Sequence, residues 1–339
     1  MKYRILYFLG MFSLLFTVIP AMAQDTVGVP ADVINNYPEP NVTPLVPNDS
    51  VLYDRIYRRV NNSLTIYDAP GGNLVNDYGV GYNFVTLSAQ PQGDWAQIGA
   101  NQWISTAGLT EEYTISRYAG VLLPEEGLPY TMAWTLRHLR PSETPGGEQS
   151  ENNPFLYRYS RVSIYDTVVV DGYNWYQVGV DQWIHQFNVA RIMPIERPEG
   201  VNTDKWVSVD LYEQVLIAYE GDTAVFSTMV SSGLPEWSTN EGTFNVYLRR
   251  ERTTMSGAYN QPDFYYLEEV PWTMFFDGDI ALHGTFWHDG FGYRQSHGCV
   301  NMTITDSHWL FDWSSDVRDF TVEDSPDLSV HVYSSGEYD

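Results

Sequence analysis

Residues 283–301 read HGTFWHDGFGYRQSHGCVN, and they hold the only cysteine in a chain of 339 residues. Cys299 lies two residues after His297 and sixteen after His283. A cysteine attacks as its thiolate, and a free thiol has a pKa of about 8.5, so it needs a neighbouring base or positive charge. In a strand, His297 shares a face with Cys299, because i and i+2 point the same way. His283 ends an alternating run, DIALH, and the loop over 284–295 is long enough to bring the chain back beside it. Gly284, Gly290 and Gly292 supply the turns. The residues alone leave open which histidine serves the thiol. Gly298 lets the backbone bend before the cysteine, so the N–H groups of Gly298 and Cys299 are candidate oxyanion donors.

Other readings of the same residues are an inert buried thiol and a zinc site built from His283, His288, His297 and Cys299. The spacings match no common zinc pattern, and no C-x-x-C or carboxylate completes a ligand set, so neither metal nor organic cofactor is expected. His138, His185 and His331 read as structural, and His288 and His308 as parts of a loop and a helix face, with contact to substrate as the alternative for either.

Working outward, the chain opens MKYRILYFLGMFSLLFTVIPAMAQDT. A basic start, an apolar run and Ala-Met-Ala predict a signal peptide over residues 1–23. The apolar run is shorter than the roughly 20 residues that span a bilayer. Export puts the protein outside the cytoplasm, in the periplasm or cell wall. A lone cysteine in an oxidising space cannot pair within the chain, which favours a chemical role. The net charge of −25 argues against a nucleic-acid partner, since phosphate contacts need clustered Lys and Arg. With 11 Trp and 25 Tyr, sizeable cores are available and disorder throughout is excluded.

Residues 24–50, rich in Pro and Asn, predict an extended linker. An internal repeat follows. GDWAQIGANQWIS at 93–105 returns as YNWYQVGVDQWIH at 173–185, offset by 80. Short alternating runs broken by Gly, Pro, Asn and Asp predict small β-barrels or sandwiches. These units, at 51–112 and 113–195, resemble bacterial SH3-like domains. The second carries a polar insert, RPSETPGGEQSENNP, read as an exposed loop. Trp103 and Trp183 suit a core at least as well as a binding face. After a linker over 196–204, runs such as KWVSVDL, QVLIAYE and TAVFSTMVSSG predict a third, larger β domain over 205–335. A short helix is expected after the cysteine, capped by Thr305, with Asp306 in its first turn and Trp309, Leu310 and Trp313 facing inward. The tail after it is expected to end acidic and frayed.

The upstream HG and the run SHGCVN resemble the YkuD-type L,D-transpeptidase catalytic domain. His283, Ser296, His297, Gly298, Cys299, Val300 and Asn301 fill the family signature. The likeness extends forward through VDLYEQVLIAYEGDTAVFSTMVSSGLPEWSTNEGTFNVY. It implies a mainly β chain: two SH3-like β-barrel repeats, then a β-rich catalytic domain with a short helix after the catalytic cysteine. It implies a cysteine acyl transfer in cell-wall peptidoglycan biosynthesis. Cys299 is the nucleophile, His283 the general base, Gly284 the carbonyl that orients it, and His297 a supporting residue. The donor is a tetrapeptide stem that loses D-alanine, and the acceptor is an amine on a neighbouring stem, giving a 3→3 cross-link. Ser296, Asn301, Trp287, Met255, Tyr259 and Tyr265 are implied at the substrate, with Tyr266, Thr253 and Thr254 in an aromatic lid over 252–272. Water as acceptor gives a carboxypeptidase instead. A cysteine wall peptidase places its nucleophile before its histidine, against the order here. A non-catalytic wall-binding protein is the remaining alternative. The repeats bind wall glycan or serve as spacers.

Overall fold

The structure is a computed structural model and describes residues 28–110, 114–259, 261–317 and 327–337. The signal peptide read at 1–23 lies outside these residues. The fold is mainly β with few, short helices.

Two sheets face each other in the C-terminal half. One runs Thr43–Pro44, Val121–Leu122, Thr223–Met229, Val215–Glu220, Lys205–Asp210, Ser329–Tyr333, Gly242–Asn245. The other runs Ile56–Val60, Tyr82–Leu87, Tyr265–Asp277, Ile280–Thr285, Val300–Thr303, with Leu248–Gly257 pairing Tyr265–Asp277. The alternation read in KWVSVDL and QVLIAYE sends Val207, Val209, Leu216 and Ala218 into the space between the sheets, against Met274, Leu282, Val300 and Met302. The opposite faces are buried as well. Trp206, Val215, Ile217 and Tyr219 pack against Met132, Trp134, Ala190 and Ile192 of the second repeat. Leu310 of the helix Ile304–Trp313 belongs to the inter-sheet core, with Trp309 and Trp313 packed against it. The helix begins earlier than expected. Thr303, not Thr305, is its cap, its side chain accepting the Asp306 N–H. Asp306 is turned inward, where its carboxylate accepts from the Gly120 N–H and the Thr228 hydroxyl.

The repeat in the sequence is a repeat in register. In the first copy Trp95 faces Ser105, Ala96 faces Ile104, Gln97 faces Trp103 and Gly99 faces Gln102. In the second, Trp175 faces His185, Tyr176 faces Ile184, Gln177 faces Trp183 and Gly179 faces Gln182. Both hairpins carry the same bulge, and both turn through a left-handed residue, Asn101 and Asp181. Each copy has its own small core, around Leu64, Val85 and Ile104 in one and Val162, Tyr176 and Ile184 in the other. Trp183 is buried and Trp103 half-buried. The polar insert is pinned rather than free, since Ser142 and Trp183 exchange two backbone hydrogen bonds.

The linkers are not loose. Within 28–50 lie two short helices, Ala31–Asn36 and Asp49–Leu52, and the strand Thr43–Pro44, which extends the larger sheet. Ile34 is buried and Leu45 packs on the main core, so this Pro-rich stretch has apolar anchors that its composition conceals. In the second linker, Val201 packs against the core beside the second repeat, and the Thr203 hydroxyl bonds Lys205 O and Ser329 Oγ.

The first repeat is joined to the C-terminal half by main-chain pairing. Tyr82, Asn83 and Phe84 lie parallel to Tyr265, Tyr266 and Leu267. Beneath this junction Glu268 is buried, accepting from the Thr86 N–H at 2.8 Å and from the Tyr266 hydroxyl. Burial pushes its carboxyl up from 4.5 to about 7. The unfolded chain therefore sheds this proton at lower pH than the folded one, and stability falls as pH rises between those two values. Glu268→Gln is expected to gain on the order of 3 kcal/mol relative to wild type between pH 5 and pH 8. Urea denaturation of both proteins at the two pH values measures it. Parallel pH profiles would show that Glu268 does not titrate there.

Candidate active site

Strand geometry brings the histidine and the cysteine together. Ile280–Thr285 and Val300–Thr303 pair in parallel, with Leu282 opposite Val300 and His283 opposite Asn301. Extending that register by one residue sets Cys299 opposite Ala281. His283 and Ala281 share a face, as do Asn301 and Cys299. Cys299 is therefore the diagonal neighbour of His283. The thiol accepts from the Ala281 N–H and stands 3.7 Å from the Asp279 carbonyl. Both side chains open into one cavity of about 260 Å³.

The turn before the cysteine is built by side chains. Ser296 Oγ accepts the Gly298 N–H at 3.1 Å and donates to the Cys299 carbonyl. Gly298 sits at φ +111°, a conformation that a residue with a Cβ rarely adopts. Its carbonyl accepts from the Thr239 hydroxyl at 2.7 Å, and that hydroxyl accepts the Gly233 N–H. The Ser232 carbonyl takes the N–H groups of Gln295 and Ser296, and the Leu234 N–H bonds the Ser296 carbonyl. Residues 231–239 thus brace SHGC from a distant part of the chain. This bracing corrects one expectation: the Gly298 N–H is committed to Ser296 and is not a free oxyanion donor.

His283 is buried at 2% exposure. Its Nδ1 lies 3.1 Å from the Gly284 carbonyl. A carbonyl only accepts, so Nδ1 carries the proton and Nε2 keeps a free lone pair. Burial lowers its pKa to about 4 and raises that of the Cys299 thiol to about 11. As separate groups, moving a proton from thiol to imidazole across that gap costs on the order of 10 kcal/mol. Even unit charges as close as about 4 Å would return only about 4 kcal/mol at an effective dielectric near 20. The resting pair is neutral, not a thiolate–imidazolium pair.

His297 stands apart from this pair. Its Nε2 is 3.2 Å from Asp263 Oδ2, and its ring lies between Trp237 and Tyr265 at centroid distances of 5.3 and 5.0 Å. It lines the cavity and pins the turn to the tip of the hairpin. Trp287 packs its ring 5.6 Å from that of His283. Met255, Tyr265 and Leu267 form an apolar wall, and Gln295, Ser296 and Asn301 a polar one. Burial and the nearby Cys299 raise the Tyr265 hydroxyl to about 12.

Three lid expectations fail. Tyr259 is 64% exposed near the hairpin tip, with its ring against Phe264. Tyr266 points to the opposite face of its strand from Tyr265 and packs on Tyr78 of the first repeat. Thr253 and Thr254 lie on Leu248–Gly257 and are not among the residues that line the cavity. For Tyr266 the reason is period-two alternation, because Tyr265 and Tyr266 are adjacent in one strand and cannot both face the site.

Four cavity residues were not among the implied substrate contacts: Tyr82 of the first repeat, Leu267, His288 and Gln295. His288, read as part of a loop and as a candidate zinc ligand, is buried against the site. Its Nδ1 accepts the Gly290 N–H at 3.0 Å, and its Nε2 stands 2.9 Å from the Asn301 carboxamide. Burial, then His283, holds its pKa down to about 3, so the ring is neutral with its proton on Nε2. That proton needs an acceptor, so the Asn301 oxygen must face His288. The amide nitrogen then takes the buried position at which an oxygen finds no donor among the described residues. The remaining histidines lie outside this cavity: His138 accepts the Arg158 N–H, His185 caps a 3-10 turn, His331 pairs with Thr243, and His308 stands on its helix 3.2 Å from Asp312 with its ring against Trp272. Among the described residues no group of three or more His, Cys, Asp and Glu is placed to hold a metal ion.

Comparison with known proteins matches residues 204–324 to the family described as YkuD, L,D-transpeptidase catalytic domain. Over 130 residues the chain is 27% identical to YciB of Bacillus subtilis strain 168, provisionally named an L,D-transpeptidase, covering 34% of this chain and 64% of that protein. Among solved structures, a cysteine-to-serine mutant of Enterococcus faecium L,D-transpeptidase is 26% identical, with a TM-score of 0.32 over 38% of this chain and 50% of that one. An L,D-transpeptidase from Stackebrandtia nassauensis is 24% identical, with a TM-score of 0.31 over 43% of this chain and 60% of that one. The matches span from half to just under two thirds of these relatives' own lengths.

Proposed function

We propose, from the premise that residues 204–324 are a YkuD L,D-transpeptidase catalytic domain, that the chain cross-links peptidoglycan stems outside the cytoplasm. The observation that carries this reading is the shared cavity of Cys299 and His283, with Nδ1 on Gly284 and Nε2 left free.

In this reading a tetrapeptide stem places the carbonyl of its third residue, a diamino acid, beside Cys299. The sulfur bonds that carbon as the thiol proton passes to His283 Nε2. Because the resting pair is neutral, transfer and attack proceed together, and the charge appears only when substrate is there to use it. The Cys299 N–H serves the developing oxyanion, since Gly298 is committed. His283 returns the proton to the departing nitrogen, the C–N bond breaks and D-alanine leaves. The side-chain amine of a second stem then attacks the thioester carbon and gives its proton to His283. The C–S bond breaks, a 3→3 amide remains and the thiol is restored. Trp287 screens the base from water, and His297 and Ser296 hold the turn. No cofactor enters this scheme. Export relies on residues 1–23, and the paired repeats are read as SH3-like modules facing the wall.

The test incubates the mature protein with a disaccharide-tetrapeptide and follows products by mass spectrometry. Released D-alanine together with a dimer one D-alanine lighter than two donors is expected. D-alanine with a tripeptide and no dimer would make water the acceptor and the enzyme a carboxypeptidase. Absence of both from folded protein would overturn the reading.

A further inference from the structure

We propose that the first N-terminal repeat completes the donor pocket, with Tyr82 as a substrate-positioning residue. This inference rests on the transpeptidase reading for the identity of the ligand, a stem peptide, but not for the geometry.

Tyr82 lies 217 positions before Cys299 in the chain and lines the same cavity. Main-chain pairing places it there. The Tyr82 N–H donates to the Phe264 carbonyl at 2.9 Å, and Tyr82 is the register partner of Tyr265. The approach is close: a Cβ on the neighbouring Gly81 would stand 2.6 Å from the Phe264 carbonyl oxygen, so only glycine fits. The Tyr82 hydroxyl donates to the Trp287 carbonyl at 3.1 Å. That bond ties the repeat to the loop that begins at the catalytic histidine. On the rim, the Arg59 guanidinium sits 5.0 Å from the Tyr82 ring centroid, and Phe84 packs edge-on at 5.1 Å. The ring is therefore held from several sides while remaining 36% exposed.

Further contacts make the repeat a rigid part of the site rather than a tethered module. Tyr57 stacks on Phe286 at 3.6 Å, and Arg252 and Arg55 pair with Asp54 and Glu269 across the junction. The hairpin Leu248–Asp277, expected as a lid, thus has its inner edge occupied by the first repeat. The wall facing Cys299 is shared: Met255, Tyr265 and Leu267 come from the hairpin, Tyr82 from the repeat. A stem lying in this cavity packs on Tyr82 in ground state and transition state alike. Removing the ring is expected to weaken binding without touching the chemistry.

The experiment measures acylation of Cys299 by the tetrapeptide donor, by intact mass against time, in the full mature chain with Tyr82→Ala and Tyr82→Phe. Tyr82→Ala is expected to raise the half-saturating donor concentration at least tenfold while the limiting rate stays within about threefold. Tyr82→Phe keeps the wall and loses only the bond to Trp287, so its increase is expected to be about threefold to tenfold. An unchanged half-saturating concentration in Tyr82→Ala, with melting temperature preserved, would overturn the proposal. So would a fall confined to the limiting rate. A second arm needs no donor. Alkylation of Cys299 by a bulky aryl maleimide, relative to iodoacetamide, is expected to speed up at least fivefold in Tyr82→Ala as the wall opens. An unchanged ratio would refute the shared wall. If wild type takes up no donor yet the ratio shifts, the wall stands and the transpeptidase reading fails.

Discussion

Cys299→Ala is expected to leave no covalent adduct when incubated with a disaccharide-tetrapeptide, under conditions in which wild type gains the donor mass less D-alanine. The effect is complete because the chain has one cysteine, and the hydroxyls that hold its turn are engaged: Ser296 is locked against the Cys299 carbonyl and Thr239 braces Gly298. The fold is expected to survive. Cys299 is half-buried, and its loss removes two weak contacts of the sulfur, with the Ala281 N–H and the Asp279 carbonyl, rather than a core side chain. Intact-protein mass with a melting curve checks both halves. An adduct on a folded Cys299→Ala protein would remove Cys299 from the mechanism.

The second large effect is at His283. His283→Ala is expected to slow acylation by about 10²- to 10⁴-fold, the range that a positioned general base supplies. His297→Ala is expected to cost no more than about tenfold, because that ring touches Asp263, Trp237 and Tyr265 rather than sitting diagonal to the thiol. The reverse ranking would exchange their roles. The pH profile separates them further. Burial holds His283 neutral down to about 4, so the base stays available well below the usual histidine range, and the thiol stays protonated up to about 11. Acylation is therefore expected to be flat from pH 5 to pH 8. A rise centred near 6.5 would mean a solvent-exposed histidine does the work.

The motif and its neighbourhood carried much of the chemistry in linear form. HG after an alternating run and SHGC before another were legible because the alternation is local, but the parallel register of Ile280–Thr285 with Val300–Thr303, which sets His283 rather than His297 diagonal to Cys299, was not. Ser296 and Gly298 were legible for the same reason, as parts of one turn. Its hydrogen bonds were not. Whether the Gly298 N–H is free depends on where the Ser296 hydroxyl turns, and that turn is held by Thr239, 59 positions away. The lid residues failed on facing. A run such as DFYYL offers two tyrosines, and only pairing with the first repeat decides that Tyr265 faces the cavity and Tyr266 the module.

The linkers failed for a related reason. Composition reports how much Pro and Asn a segment holds, not whether a sheet edge is free to receive it. Thr43–Pro44 finds such a place beside Val121–Leu122, which itself lies beside Thr223–Met229.

By itself, then, the sequence singled out Cys299 as the candidate nucleophile, the turn that presents it, the strand periodicity and the duplication whose two hairpins share one register. These depend on neighbours within a few residues, or on a repeat that is itself written in the chain. Only the tertiary structure decided the protonation state of the pair, the partner of His288 and Asn301, and the share of the first repeat in the pocket. Those depend on burial and on contacts between segments more than two hundred residues apart, for which local sequence has no physical signal.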